Sequence, residues 1–280
     1  MEKLANIWLD FLQSEPKNDT WWDRKKKLCD VRQAEMVRIN GKGRIFHTLQ
    51  YDREINYHYL LHLSMLVKQN DYMYLEEQVI PYQFRVINGE VIDHQEMEKP
   101  IVLSGNTVMP EITRDLSKQR FSYNRLAAVK YAERWWNSYN PAYEKFDVDC
   151  TNYVSQCLSA GGAPTYGAPN RGSGWWYSGG NWSYSWAVAH SLRWYLSGST
   201  KGLKGKEVQS ANELLPGDII CYDFQGDGKF DHNTIVVAKD TNGMPLVNAH
   251  TDNSRNRYWS YEDSTAYTPN IKYKFFRIGE

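Results

Sequence analysis

The order of secondary-structure patterns after residue 121 constrains the fold of this 280-residue chain more than any other feature. Apolar residues at helical spacing occupy 123–135, and a second helical pattern begins at Asp149 and ends at Gly161-Gly162. A third helical pattern occupies 186–196. The remainder is strand-like, in the segments 218–224, 232–238, 245–251 and 271–278. The pattern predicts an α+β domain over residues 119–280.

The first 118 residues carry a different pattern, one helix followed by strands. Residues 1–14 place apolar side chains at helical spacing, and residues 21–30 are mixed and basic, which predicts a solvated helix face or a loop. Turn signals at 40–43, 70–71 and 88–89 separate strand-like segments, namely 57–67, 72–79, 82–87 and 91–94. We predict a small α+β domain over residues 1–118, in which the helix covers an antiparallel meander. The polar stretch 98–119, with its prolines and glycine, predicts a linker.

Charge and hydropathy exclude several classes of protein. Lysine plus arginine number 33 and aspartate plus glutamate also number 33, with neither half strongly charged, so we expect no nucleic-acid partner. No apolar run approaches the ~18 residues of a membrane-spanning helix. Residues 1–14 lack the basic region and cleavage site of a signal peptide. Four cysteines without a CxxC pair suggest free thiols in a reducing compartment, hence a cytoplasmic protein, or a secreted one whose leader has been removed.

Cys150 is the candidate nucleophile. It lies in the first turn of a predicted helix, where unpaired N–H groups and the positive end of the helix dipole favour a thiolate. Such a thiolate needs an imidazole that accepts and returns its proton, and His232 and His250 lie on the strands downstream. The alternative is a small buried side chain at a helix start, the usual state of a free cysteine. Asp149 beside Cys150 and the histidine-bearing hairpin favour the catalytic interpretation.

The loop of that hairpin decides which polar residues share a face of the sheet. A three-residue loop at 241–243 would place His232 opposite Asp252 and diagonal to His250, so that both imidazoles lie on one face. A two-residue Asn-Gly loop would move His250 to the other face. A five-residue loop would put His250 directly opposite His232 and make Asn248 diagonal to it. We predict the three-residue loop, with Asn248 as the alternative to His250.

Other polar and sulfur-bearing residues fit structural roles. Cys157 and Cys221 occupy apolar positions of a helix and a strand, which predicts packing. Five residues could in principle bind a metal, namely Asp223, Asp227, Asp231, His232 and His250, but the chain has no HExxH motif, no CxxC pair and no calcium-loop spacing. We therefore predict no metal and no cofactor, and a solvated hairpin tip at the acidic turn. No GxSxG motif occurs, which argues against a serine hydrolase.

The segment 174–186 is unusually rich in aromatic residues, in a chain with 11 Trp, 20 Tyr and 9 Phe. Glycine and serine between the rings are typical of a loop that presents its side chains. Trp175, Trp176 and Trp182 are therefore candidates for stacking on a sugar ring or gripping a peptide. The alternative, equally weighted, is that these rings bury one another against the protein.

Residues 120–280 resemble the bacterial family described as "Putative amidase domain". The resemblance rests on three motifs in this order, Asp149-Cys150-Thr151-Asn152-Tyr153-Val154-Ser155-Gln156, Leu215-Pro216-Gly217-Asp218-Ile219-Ile220 and Asp231-His232-Asn233-Thr234-Ile235-Val236. That family looks like a branch of the papain-like NlpC/CHAP superfamily of cysteine amidases and peptidases, many of which cut amide bonds of peptidoglycan.

The resemblance implies a papain-like (NlpC/CHAP-type) domain, in which a cysteine-bearing helix packs on an antiparallel sheet. It implies Cys150 as nucleophile, His232 as general base and either His250 or Asn248 as the third member. Asp149, next to Cys150 in the sequence, is a candidate substrate contact. The expected activity is hydrolysis of an amide bond in a peptide or peptidoglycan-like substrate of the bacterial cell wall. Two alternatives remain, an acyltransferase or transglutaminase-like enzyme with the same residues, and a binding module without catalysis that holds glycan or peptide.

Overall fold

The structure is a computed structural model that describes residues 2–13, 19–97 and 121–279. It divides into two compact units, the first formed by residues 1–99 with 261–265 and the second by residues 100–260 with 266–280. The predicted domain boundary after residue 118 and the predicted linker at 98–119 both lie outside the described residues. Both stay predictions. No helix in the described ranges is long and apolar enough to cross a membrane.

The first unit contains two helices and an antiparallel meander, where the sequence predicts one helix and a meander. Its helices and strands are α1 (Glu2–Gln13), α2 (Trp21–Val31), β1 (Ala34–Tyr51), β2 (Glu54–Gln69), β3 (Tyr72–Ile87) and β4 (Glu90–Glu96). Each strand pairs with the next in the chain. Helix α1 covers one face of this meander, because Trp8 donates a 2.9 Å hydrogen bond to the Tyr59 hydroxyl and sets its ring edge-on against Tyr82.

Two sequence predictions for this unit are wrong. The predicted turn at 40–43 lies inside β1, because β2 supplies a partner along this whole stretch, including Asn40 opposite Ser64. The predicted strands 72–79 and 82–87 form one strand, β3, in which Pro81 is paired opposite Leu60. The turns at 70–71 and 88–89 are confirmed.

The predicted solvated face at 21–30 is also wrong in part, because α2 buries Lys25. This side chain is 1% exposed, and its ammonium group forms ion pairs with the buried carboxylates of Glu76 and Asp263. Arg24 donates to the backbone carbonyl oxygens of Glu262 and Ser264. The basic residues of α2 thus bind the segment 261–265 within the first unit.

The second unit is also α+β, with a large antiparallel sheet and a separate two-stranded sheet formed by Tyr177–Ser178 and Asn181–Trp182. Its elements are α3 (Arg125–Trp135), α4 (Cys150–Ala160), β5 (Tyr177–Ser178), β6 (Asn181–Trp182), α5 (Tyr184–Ala187), α6 (Ala189–Gly198), β7 (Gly205–Val208), β8 (Ile219–Asp223), β9 (His232–Lys239), β10 (Pro245–Ala249), β11 (Asn253–Tyr258) and β12 (Lys272–Ile278), with a 3₁₀ turn at Ala211–Glu213. Within this unit the strand order is β11-β10-β9-β8-β12-β7. The predicted helix at 186–196 is interrupted by the extended backbone of Val188 (φ −116°, ψ 124°). The short, polar strands β7 and β11 were not predicted.

Helix α4 packs on one face of this sheet. The buried cluster joins its apolar stripe to alternate residues of β8 and β9, and its members include Tyr153, Val154, Cys157, Leu158, Ile219, Cys221, Ile235, Trp175 and Trp186. Burying each of these large side chains stabilises the fold by about 1.5–3 kcal/mol. The packing roles predicted for Cys157 and Cys221 are confirmed, since both are 0% exposed. Asn233, opposite Cys221, lies on this helix-covered face as well.

The hairpin of β9 and β10 contains a β-bulge that the sequence does not indicate. Lys239 pairs with Pro245 and Ala238 with Leu246, as a three-residue loop requires, but Val247 then pairs with Val236. The bulge inserts one extra residue into β9. Beyond it, each residue of β10 is paired with a β9 residue one position away from the one that the regular register would give. Residues past the bulge therefore do not follow the predicted register.

Candidate active site

Cys150 is the first residue of α4, and its side chain is buried, with 1% exposed. Its sulfur lies 3.7 Å from the Thr151 hydroxyl oxygen and receives the backbone N–H of Asn233, while the hydroxyl of Thr251 lies beside it. Hydrogen-bond donors from a helix, a strand and a turn thus converge on one sulfur atom. Such donors stabilise a thiolate once it forms.

Burial raises the pKa of the Cys150 thiol, and the N–H of Asn233 and the neighbouring hydroxyls oppose this effect without cancelling it. The carboxylate of Asp149 raises the pKa further. The direction of this pKa is opposite to the expectation that the helix start favours a thiolate, because burial penalises the charged form of the sulfur.

Asp149 occupies the N-cap position of α4, but its carboxylate does not cap the helix. One oxygen accepts hydrogen bonds from the Phe146 backbone N–H (3.1 Å) and the Asn152 side-chain amide (2.9 Å). The other lies 2.7 Å from Nδ1 of His250. The indole N–H of Trp186 holds the Asn152 amide oxygen at 2.8 Å. The Asp149 carboxylate is thus held by Phe146, Asn152 and His250. It does not accept hydrogen bonds from the first N–H groups of α4.

His250 lies just past the end of β10, and both of its ring nitrogens face acceptors. Nδ1 faces the Asp149 carboxylate and Nε2 lies 2.7 Å from the backbone carbonyl oxygen of Trp135, the last residue of α3. Each ring nitrogen thus lies within hydrogen-bonding distance of an oxygen atom of the protein. The ring also stacks on Tyr153 at a centroid distance of 4.0 Å. His250 therefore joins the end of α3 to the start of α4.

His232 is the first residue of β9, and its side chain lies on the other face of the sheet. It is paired with Tyr222 of β8, and its ring lies 5.6 Å from that of Tyr222 and 6.1 Å from that of Phe224. The next residue, Asn233, bonds to Thr151 on the helix-covered face. The prediction that His232 and His250 share one face is wrong, because the bulge in β9 changes the parity of the hairpin.

Asn248 lies in β10 with its amide engaged elsewhere. Its Nδ2 donates to a Glu133 carboxylate oxygen at 2.8 Å, and its Oδ1 accepts the backbone N–H of Asn256 at 2.8 Å. Arg255 forms an ion pair with the same Glu133. The structure thus places Asn248 in a network that connects α3 with β10 and β11.

The aromatic segment 174–186 is mostly buried. Trp175 and Trp176 are 0% and 2% exposed, so the expectation that these two rings contact substrate is wrong for this structure. Their indole N–H groups have acceptors inside the protein, Ser155 for Trp175 and backbone carbonyl oxygens for Trp176. Trp182 is half-buried, with Arg171 over its ring and Phe146 against it. Of the three predicted tryptophans, Trp182 alone keeps a partly exposed ring.

Within the described ranges, no group of His, Cys, Asp and Glu side chains could hold a metal ion. The acidic turn has a structural explanation. The buried carboxylate of Asp223 accepts the backbone N–H groups of Gly226, Asp227 and Gly228 and so closes the loop between β8 and β9. Asp223 is 1% exposed, so the predicted solvated tip is wrong for this residue.

Three residues of the site were not predicted as functional, namely Thr151, Asn233 and Thr251. Thr151 and Asn233 stand directly beside Cys150 and His232 in the sequence, so the motifs contain them, but nothing in the sequence indicates that they bond to each other. Thr251 has a left-handed backbone (φ +83°), which a β-branched residue rarely adopts and which no sequence pattern shows.

A family model described as "Putative amidase domain" matches residues 122–276, which include the helix of Cys150 and both His232 and His250. The chain belongs to this family. The description of the family indicates an amide hydrolase.

Two relatives come from Bacillus subtilis (strain 168). Over 99% of its length the chain is 49% identical to the "Uncharacterized protein YhbB", in an alignment of 294 residues that covers 94% of that protein. It is 28% identical over 218 residues to the "Uncharacterized protein YjcM", an alignment that covers 75% of the chain and 47% of that relative. No solved structure matches the chain. The similarity to YhbB extends over both compact units.

Proposed function

We propose that the second unit is a papain-like cysteine hydrolase that cleaves an amide bond, with a cell-wall peptide as its substrate class. One observation carries the proposal: Cys150 begins a helix whose first N–H groups are not capped by Asp149, and hydrogen-bond donors converge on its sulfur. The cysteine-bearing helix on an antiparallel sheet supports the papain-like architecture. The cell-wall substrate rests on the resemblance of the three motifs.

In the proposed reaction, the Cys150 sulfur attacks the carbonyl carbon of the substrate amide. The first backbone N–H groups of α4 stabilise the negative oxygen of the tetrahedral intermediate. The C–N bond then breaks, and the leaving amine takes a proton from the general acid. A thioester remains, which water hydrolyses to a carboxylic acid while the thiol is restored. The raised pKa keeps the resting thiol protonated near neutral pH, so a base must accept its proton as the substrate binds.

We propose His232 as that base. His250 has both nitrogens committed to Asp149 and the Trp135 carbonyl oxygen, which leaves it no nitrogen for the Cys150 proton. His232 precedes Asn233, whose backbone N–H reaches the sulfur. The approach of His232 to Cys150 requires a turn of its side chain from the face that it occupies beside Tyr222.

The test is to digest purified peptidoglycan and simple peptide libraries with the full-length protein and to identify the products by mass spectrometry. We expect new amine and carboxyl termini, none with Cys150→Ala, and at least about a 100-fold loss of rate with His232→Ala. Cys157→Ala is the matched control, since that thiol is packed in the core. Products in which an added amine has replaced water would indicate an acyltransferase. Binding without any product, unchanged by Cys150→Ala, would refute catalysis.

A further inference from the structure

Two buried polar atoms beside Cys150 lack ordinary partners. Asn233 is 0% exposed, and its Nδ2 donates a 3.0 Å hydrogen bond to the Thr151 hydroxyl, but its Oδ1 has no hydrogen-bond partner among the described residues. Apart from the Cys150 sulfur that it approaches, the Thr251 hydroxyl likewise has no partner in the described ranges. Most buried polar groups in native proteins are hydrogen-bonded, so two such atoms at one sulfur require an explanation.

Asn233 is held in place from two sides. Its backbone N–H faces the Cys150 sulfur, and its Nδ2 bonds to Thr151, whose hydroxyl oxygen is 3.7 Å from the same sulfur. The side-chain amide therefore lies next to the thiol with its nitrogen satisfied. The unpartnered atom is an acceptor, since an amide oxygen carries lone pairs and no proton. Only a ligand that presents an N–H or O–H group can satisfy it.

Thr251 is held beside the sulfur by an uncommon backbone conformation. Its φ of +83° lies in the left-handed region, which is a genuine outlier for a β-branched residue. Such strain persists only where the surrounding structure fixes it. Here the preceding residue, His250, is fixed by Asp149 and the Trp135 carbonyl oxygen. The hydroxyl of Thr251 is thus a second fixed polar group, and it can donate.

We propose that Asn233 Oδ1 accepts the N–H of the amide group that Cys150 attacks, while the Thr251 hydroxyl donates to the carbonyl oxygen of that group. The site then selects amides over esters of the same shape, because an ester presents an oxygen lone pair where Asn233 needs a donor. A site built to bond a substrate N–H rejects an analogue that lacks it, since its own buried acceptor is left unpaired. This specificity rests on the proposed function of Cys150.

Alkylation of the native, full-length protein tests the proposal with two defined probes, iodoacetamide and methyl iodoacetate. In both, the thiolate sulfur forms a bond to the CH₂ carbon as iodide leaves, but only iodoacetamide carries N–H groups. Each rate at Cys150, read by mass spectrometry, is divided by the rate of glutathione with the same probe. We expect the normalised rate to favour iodoacetamide by about 10-fold. Equal normalised rates, or no reaction of Cys150 before unfolding in urea, would overturn the proposal.

Three variants assign the preference to the proposed atoms. Asn233→Ala should abolish it, whereas Thr251→Val should slow both probes equally, because both carry a carbonyl oxygen. Thr151→Ser is the matched control, since it keeps the hydroxyl that binds Nδ2 and leaves Oδ1 in place, and it should retain the preference. A preference that survives in Asn233→Ala, or that disappears in Thr151→Ser, would refute the role of Oδ1. If Asn233→Ala does not fold, the normalised rates of the two probes with the wild-type protein still test the proposal.

The same experiment separates this inference from the proposed function, because alkylation does not require hydrolysis. A preference for iodoacetamide in a protein that hydrolyses no amide would leave the acceptor role in place and refute the proposed function. Hydrolysis of peptides by a protein that shows no preference between the probes would refute the acceptor role alone.

Discussion

The contact between Asp149 and His250 predicts a large loss of stability when one partner is neutralised. The two side chains are 2% and 3% exposed, and their nearest atoms are 2.7 Å apart. Asp149→Asn replaces the carboxylate that faces His250 Nδ1 with an amide, and removal of one partner of a buried pair of this kind costs about 3–5 kcal/mol. For a unit of this size each kcal/mol corresponds to about 2–4 °C, so the melting temperature should fall by roughly 6–20 °C.

The second arm of this test is His250→Phe, which keeps an aromatic ring against Tyr153 but loses both hydrogen bonds. It should be destabilising to a similar extent, because the buried Asp149 carboxylate then loses its hydrogen-bond partner at Nδ1. In the double variant neither partner remains. Its loss should fall short of the sum of the single losses by up to about 3 kcal/mol, the range of coupling measured for residues in contact.

Urea and thermal denaturation at pH 7, followed by circular dichroism, measure the stability of the wild type, the two single variants and the double variant. Single losses below about 1 kcal/mol that simply add in the double variant would show that no buried ion pair exists. In that case His250 would be free to serve as the orienting residue, and its replacement would lower the rate of hydrolysis without lowering the melting temperature.

Three further predictions follow from burial. Trp175→Ala should cost about 3–5 kcal/mol and Trp182→Ala clearly less, as measured by scanning fluorimetry, and equal losses would contradict the difference in burial. Lys25→Met should destabilise the first unit by about 3–5 kcal/mol, since Glu76 loses its cation, whereas the exposed Lys27→Met should stay within about 0.5 kcal/mol in urea titrations. Burial raises the pKa of Cys150, Cys157 and Cys221. Because the folded chain keeps protons that the unfolded chain loses above about pH 8.5, stability measured against pH should decline there, and a flat profile up to pH 10 would refute the burial of the thiols.

The sequence predicted those parts of the fold that depend on local patterns. The apolar stripe and the flanking glycines placed the helix of Cys150 correctly, and the turn signals at 70–71 and 88–89 were confirmed. Features that depend on distant partners were not predicted. The strand across 40–43 exists because β2 is long enough to pair with it, and Lys25 is buried because Glu76 and Asp263 meet it from other parts of the chain.

In the candidate site, too, local patterns could be predicted from the sequence and contacts with distant residues could not. Cys150 could be found from its motif, but its neighbours depend on one extra residue in β9, in a Val-Val-Ala run that carries no bulge signal. The regular pairing of β8 with β9 places His232 on the face of Tyr222 and Asn233 on the helix-covered face, and the bulge decides which residues of β10 share those faces. Successive side chains of a strand point to opposite faces of the sheet. The His232 imidazole and the Asn233 amide therefore cannot both face Cys150 while β9 keeps its regular pairing. If His232 acts as the base, the start of β9 must therefore adjust when substrate binds, and Asn233, fixed by Thr151 inside the ladder, is the member of the pair that stays in place.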